Sequence, residues 1–222
     1  MSKVLNWFVK ITGFPAELIY YRKKIYYEDK SHTSNKIKGA AIIVSNHTSI
    51  YDYPLIMYTF LSRNIHPLTA EVMYEKNFLL TALIKGLGAI KVDRNSHDFS
   101  FMEETKKVLN KKGVVLIFPE SRLPKEEEKG SFIEFKPSYI NLALECGVPI
   151  IPVYTNGTYG RLKRKRKDRT RIMIGKKLYL NDLYDINKSE KENVAYINDY
   201  VKNKILSLKE MIKEISNGKE AA

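Results

Sequence analysis

The sequence predicts an α/β protein, a central and mostly β-sheet layer flanked by helices, on three observations. Apolar, β-branched runs at 40–45 (AAIIVS), 113–118 (GVVLIF) and 148–155 (VPIIPVYT) are short and bounded by turn residues, as buried strands are. Between them lie segments with helical spacing, so strands and helices alternate along the chain. The 222 residues contain no internal repeat and no low-complexity linker, which suits one domain around one core.

The elements follow in order. Residues Val4 to Tyr21 are rich in large apolar side chains, among them Leu5, Trp7, Phe8, Ile11, Phe14, Leu18 and Ile19, but Lys10 and Glu17 intrude and Gly13-Phe14-Pro15 interrupts the run. A spanning helix needs about 20 apolar residues, so this stretch is too broken to cross a bilayer. No small-residue cleavage site follows it, which argues against a signal peptide. It reads as two short helices, 3–12 and 15–23, with Pro15 at the first position of the second. Arg22, Lys23 and Lys24 then add a basic edge, and such a pair suits a headgroup interface. The alternative is that the pair caps the domain's own core. The expected division is a membrane-associating helix pair at 1–24 and a main domain at 25–222.

Beyond the three strong strands, weaker candidates lie at 67–71, 88–92 and 171–176. Helices are expected at 98–111, where Phe101, Thr105, Val108 and Leu109 share a face before Gly113, and at 137–146, closed by Gly147. From Val194 to Ile215 the apolar residues Ile197, Val201, Ile205, Leu208 and Ile212 step by three and four, the mark of a long amphipathic helix. Two prolines in Val148–Val153 are odd for a central strand and predict a constrained edge or entry segment.

Charge narrows the partners. With 38 basic and 25 acidic residues the net charge is +13, so the surface seeks polyanions: nucleic acid, an anionic membrane or a phosphorylated substrate. Arg161 to Arg171 holds eight basic side chains in eleven, opposed only by Asp168. A solvated loop, a contact with anionic headgroups and a nucleic-acid patch all stay open for it. No recognisable nucleic-acid module accompanies it, and nucleic acid is not an expected partner. One cysteine, Cys146, excludes a disulfide scaffold and a Cys-ligated zinc site. His32 and His97 lack ligand-like spacing, and His66 and Glu71 fall on opposite faces of a strand, so no metal site is expected.

The chemistry points to strand ends. In Ser45-Asn46-His47-Thr48-Ser49-Ile50-Tyr51-Asp52 a strand stops at Val44, and polar residues lead into a helix beginning near Pro54. His47 and Asp52 converge only if His47 sits in the turn and Asp52 near the helix start, because five helical steps diverge by about 140°. A carboxylate on one imidazole nitrogen fixes the tautomer, leaving the other to remove a proton from a hydroxyl. Gly88 to Arg94 runs from a strand into a charged turn and leaves Arg94 at its end, and Phe118-Pro119-Glu120-Ser121-Arg122 presents Glu120, Ser121 and Arg122 past another. Two arginines at one sheet edge suit phosphate.

Asn46-His47-Thr48-Ser49-Ile50-Tyr51-Asp52 resembles the NHxSxxD motif of the glycerolipid acyltransferases. Gly88 to Arg94, Phe118 to Arg122 and Val148 to Val153 resemble the family's second, third and fourth blocks, in order, within about residues 40–157. Ser121 departs from the pattern by standing where the family has Gly, which removes the easiest route to a left-handed backbone.

The resemblance implies a single-domain glycerolipid-acyltransferase-like fold and an O-acyltransferase. Its acyl group would pass from acyl-CoA or acyl carrier protein to the hydroxyl of 1-acylglycerol 3-phosphate or a related lysophospholipid. His47 would be the general base and Asp52 its orienting partner. Asn46, Ser49, Arg94, Glu120, Ser121 and Arg122 would bind substrate, with the Thr48 and Ser49 backbone N–H groups facing the oxyanion. The hydroxyl would attack the thioester directly, without an acyl-enzyme. No cofactor is implied beyond the thioester co-substrate. The protein would sit as a monotopic protein on the cytoplasmic face of an anionic membrane. A transacylase drawing on phospholipid donors and a non-catalytic basic membrane- or nucleic-acid-binding protein are the alternatives.

Overall fold

In the computed structural model, which describes residues 3–75, 77–93, 99–129, 131–157 and 169–218, seven strands form one sheet. In chain order they are β1 (Lys24–Tyr27), β2 (Ala41–Ser45), β3 (Ile65–Ala70), β4 (Ile90–Val92), β5 (Val114–Ile117), β6 (Ile150–Thr155) and β7 (Arg171–Ile174). The helices are α1 (Lys3–Tyr20), α2 (Asp52–Thr59), α3 (Val72–Glu75), α4 (Phe78–Gly86), α5 (Ser100–Asn110), α6 (Ser138–Cys146) and α7 (Glu190–Ser216). Across the sheet the order is β1-β7-β6-β2-β5-β3-β4. Strands β6, β2, β5, β3 and β4 run parallel, β7 turns back against β6, and β1 follows β7.

The register sorts the apolar side chains onto two faces. Ile42 pairs with both Val115 and Ile150, and these, with Val44 and Ile117, face a cluster built from α5, α6 and α7. Their neighbours Ala41, Ile43, Val114, Leu116, Ile151 and Val153 face Leu55 and Ile56 of α2. Strands buried on both faces read as continuous apolar runs, which is why β2, β5 and β6 stand out in the sequence.

Three elements differ from expectation. The short strand β1 (KIYY) is half-buried at the sheet edge, and a basic, four-residue edge strand carries no apolar run to announce it. Strand β6 is interior and fully buried despite Pro152. Two residues of β6, Ile151 and Pro152, separate the Ile150↔Leu178 bridge from the Val153↔Ile174 pair, whereas Gly175, Lys176 and Lys177 separate them opposite. Pro152 therefore lies at a bulge, where its missing N–H breaks no ladder bond.

The third difference is α1, one continuous helix in place of the expected pair. Interior proline costs a helix about 3 kcal/mol, and contacts with the neighbouring α2 segment offset that loss. Lys10 Nζ donates to the carbonyls of Leu61 (3.0 Å) and Arg63 (2.7 Å), and Tyr58 Oη donates to Val9 O at 2.8 Å. Gly13 sits so close to α2 that a Cβ there would lie 2.1 Å from Tyr58 Oη. Glu17 pairs with Lys23 at 2.6 Å. The helix thus buries Asn6, Lys10 and Glu17, and leaves Val4, Trp7, Phe8, Ile11, Leu18 and Ile19 exposed. No described helix is long and apolar enough to cross a membrane.

Helix α7 is the longest. Ser189 and Glu192 form a reciprocal capping box at its start, and Ile197, Val201, Ile205, Leu208 and Ile212 are buried along it. Cys146 is half-buried at the end of α6, packed against the core.

Candidate active site

Strands β2, β5 and β6 end at one edge of the sheet, at Ser45, Ile117 and Thr155. The C-terminal edge of parallel strands is where open α/β sheets place ligands. Past Ser45 the Asn46 carboxamide reaches across to β6, donating from Nδ2 to Thr155 O (2.9 Å) and accepting on Oδ1 from Thr155 N (2.8 Å). That double bond fixes where the following turn begins.

His47 lies in the turn, its ring stacked on Phe118 with centroids 4.2 Å apart and planes 12° from parallel. Asp52 opens α2, two residues earlier than Pro54, and its Oδ2 lies 2.9 Å from His47 Nδ1. The structure thus brings together the two residues whose convergence the sequence required. Since a carboxylate only accepts, Nδ1 carries the hydrogen and Nε2 keeps its lone pair. Asp52 is 1% exposed and accepts three further bonds, from Thr48 N (2.5 Å), Thr48 Oγ1 (2.9 Å) and Ser49 N (2.9 Å). A buried charge so fully bonded is fixed in place and fixes the imidazole in turn.

Glu120 braces the same turn from β5. Its Oε1 accepts from His47 N at 2.8 Å and its Oε2 from Ile133 N at 3.3 Å. At 4% exposed, its carboxyl is pushed up by burial, with those backbone bonds and the His47 side chain opposing the shift. Gly157, just past β6, closes the arrangement. Its φ is +60°, and a Cβ there would lie 2.0 Å from Thr48 Oγ1.

Several residues expected to contact substrate make bonds within the protein. The Asn46 amide bonds to Thr155 through both Nδ2 and Oδ1, so it ties strands together at the edge of the cleft. Ser49 is buried, and its Oγ accepts from Tyr51 N at 3.0 Å, which makes it part of the turn. The Thr48 and Ser49 N–H groups point at Asp52, not at an oxyanion, because a buried carboxylate is the stronger acceptor beside them. Glu120 holds backbone, as its burial demands. Ser121 adopts φ +60°, the left-handed conformation its position requires, without the glycine that would take it freely. Arg122 makes a two-pronged pair with Glu128, 2.6 Å on each side, and those bonds raise its affinity for protons while lowering that of Glu128 to about 2. Arg94 and most of the basic cluster, 161–168, lie outside the described residues.

The cleft beside His47 is also lined by Phe132, Tyr154 and Lys209. Lys209 comes from α7, with Nζ 5.4 Å from the Phe132 ring centre, and burial lowers its pKa. It directly follows the buried Leu208 on α7 and is itself half-buried. His66 stays apart, donating from Nδ1 to Gly88 O at 2.8 Å. Among the described residues no group of three or more His, Cys, Asp or Glu is placed to hold a metal ion.

Comparison with known proteins agrees with this layout. A family model described as Acyltransferase matches residues 24–156. The 1-acyl-sn-glycerol-3-phosphate acyltransferase of Limnanthes douglasii is 29% identical over 133 residues, 59% of this chain and 46% of that protein. That of Haemophilus influenzae is 24% identical over 177 residues, covering 78% and 71%. The probable 1-acyl-sn-glycerol-3-phosphate acyltransferase of Mycoplasma genitalium is 30% identical over 135 residues, covering 59% and 49%. The match thus spans about half the length of the plant and Mycoplasma relatives. The crystal structure of the 1-acyl-sn-glycerophosphate (LPA) acyltransferase PlsC from Thermotoga maritima superposes with a TM-score of 0.64 at 19% identity, over 94% of this chain and 78% of that one, and shows that the fold is shared.

Proposed function

The chain belongs to the acyltransferase family, and from that membership we propose that it moves a fatty acyl group from a thioester, acyl-CoA or acyl carrier protein, to the free hydroxyl of 1-acylglycerol 3-phosphate or a related lysophospholipid. The observation that carries this reading is the His47–Asp52 pair, 2.9 Å apart at the sheet edge with Asp52 bonded on every side. His47 Nε2 takes the hydroxyl proton as the oxygen attacks the thioester carbonyl. The tetrahedral adduct collapses by breaking the C–S bond, and the imidazolium returns the proton to the departing thiolate. Thiolate is a good leaving group, so no acyl-enzyme and no metal or prosthetic group is required. Arg122 meets the acceptor's phosphate by exchanging its Glu128 carboxylate for phosphate oxygens, a like-for-like two-pronged bond. Arg94 is the second phosphate ligand in this reading. The names of the relatives support the acceptor class, and the thioester donor is what the family resemblance implies.

The acceptor is a membrane lipid, and the outward apolar face of α1 is the part that meets the bilayer. The protein works as a peripheral, monotopic enzyme on the cytoplasmic face, held by that helix and by attraction of its +13 charge to anionic lipid.

Release of free thiol, followed with both donors and a panel of lysophospholipids, tests the reaction. His47→Ala is expected to abolish turnover with the fold intact. Asp52→Asn is expected to lower the rate by about four orders of magnitude, the scale of losing tautomer control in a comparable triad. A His47→Ala protein retaining a tenth of the activity would remove the general base and the mechanism with it.

A further inference from the structure

We propose that α4 is a second lipid-contacting element, which places its first turn in an anionic phospholipid bilayer beside α1. This deepens the peripheral-membrane reading above and rests on it. Helix α4 has no buried residue, and Phe78 and Leu79 at its start are 83% and 74% exposed. Two large apolar side chains at that exposure, adjacent in one turn, have no role in the protein's own core.

The turn is also prepared for a dry environment. Asn77 Oδ1 accepts from Leu79 N (2.8 Å) and Leu80 N (3.4 Å), satisfying helix-start donors that are otherwise costly to bring near hydrocarbon. Thr81 Oγ1 donates to Tyr74 O (2.6 Å) and Tyr74 Oη to Ala89 O (3.2 Å), so α3, α4 and the start of β4 hold their shape without a covering layer.

Position supplies the occupant. Strands β3 and β4 are parallel, so α4, which joins them, runs back across the sheet with Phe78 at the edge that carries His47 and Gly86 at the far edge. There Gly86 meets α1: a Cβ on it would lie 2.2 Å from Leu5 Cδ2. Helices α1 and α4 therefore touch at that end, and each turns apolar side chains to the outside. Ile50, 54% exposed within the catalytic turn, lies at the same edge as Phe78. Basic side chains flank this apolar surface, with Lys85 and Lys91 at the α4 end and Arg22 and Lys24 at the end of α1, all exposed. An apolar centre with a cationic rim matches hydrocarbon beneath anionic headgroups.

Trp7 is the single tryptophan, and it lies on the exposed face of α1. The test uses the full chain with phosphatidylcholine–phosphatidylglycerol vesicles whose acyl chains carry bromine. In a Trp7→Phe/Leu79→Trp protein, quenching of the new tryptophan by bromine is the expected result. In the Phe78→Ser/Leu79→Ser protein, vesicle partitioning is expected to fall about 10- to 100-fold. Activity on lipid-embedded acceptor should drop with it, while activity on a short-chain soluble acceptor and the melting temperature stay unchanged. If Trp7 is quenched in the unmodified protein and Trp at 79 is not, the α4 proposal fails and the α1 reading stands. If neither is quenched, both fail. If the double serine variant instead converts a dimer to a monomer in sedimentation, the face belongs to a second copy and the lipid proposal is overturned.

Discussion

Along α7 the side chains turned inward are chiefly apolar, Ile197, Val201, Ile205, Leu208 and Ile212, with charge on the open side. Along α1 the inward ones are Asn6, Lys10 and Glu17, and the open side carries Val4, Trp7, Phe8, Ile11, Leu18 and Ile19. Both helices are two-faced at helical spacing. The periodicity reports that a helix has two faces and is silent on which one the protein covers. What decides is the partner. Helix α7 lies on β6 and β7, whose side chains form an apolar floor. Helix α1 lies on α2, where its inward face meets backbone carbonyls and a tyrosine hydroxyl.

Charge placed on each helix sharpens this comparison most. Ile205→Asp puts an unpaired carboxylate into the core and is expected to cost about 3–5 kcal/mol, enough to unfold much of the population. Ile11→Asp should leave a urea melt unchanged and weaken sedimentation with vesicles. Equal destabilisation by the two would show that α1 belongs to the core after all. A methyl group comes next. Alanine in place of glycine ordinarily stabilises a helix by about 1 kcal/mol, yet Gly13→Ala should destabilise by about 1–3 kcal/mol because Tyr58 already occupies that space. A higher melting temperature would mean that α1 is loosely docked.

Titration probes the inward face more gently. Burial lowers the Lys10 pKa from 10.5 to about 8. Between those values the unfolded chain binds more protons than the folded one, so the lysine's contribution to stability rises with pH in that window. Below pH 8 the cost of the buried ammonium is fully present, and above 10.5 it is gone. Unmodified protein should gain on Lys10→Met from pH 8 to 10.5, and parallel stability curves would contradict the burial. The smallest effect lies outside the helices. Ser121→Gly should stabilise by about 1 kcal/mol, since φ +60° is free for glycine and strained for serine. No gain in a thermal melt would place the cost elsewhere.

The same division explains what the sequence revealed. Strands β2, β5 and β6 were legible because burial on both faces demands runs of Ile and Val. The His47–Asp52 pair was legible because its geometry is local, five residues across one turn. Glu128 was not, because its hold on Arg122 depends on how residues 122–128 fold back. Lys209 was not, because only tertiary packing carries α7 to the cleft. Pro15 and Pro152 look disruptive in a local pattern, but packing on α2 offsets the bond lost at Pro15 and the bulge opposite Pro152 means that none is lost there.

Gly157 carries a consequence for how this protein tolerates change. Its bearing on the site runs through Thr48, because any side chain on it would drive Thr48 away from the carboxylate that Thr48 helps to hold. In a saturation screen selecting for acyl transfer, position 157 would therefore be as intolerant as 47. A screen scored only on abundance would find it more forgiving. The gap between those two scores measures how much of the geometry around His47 is maintained from behind by the mere absence of a side chain.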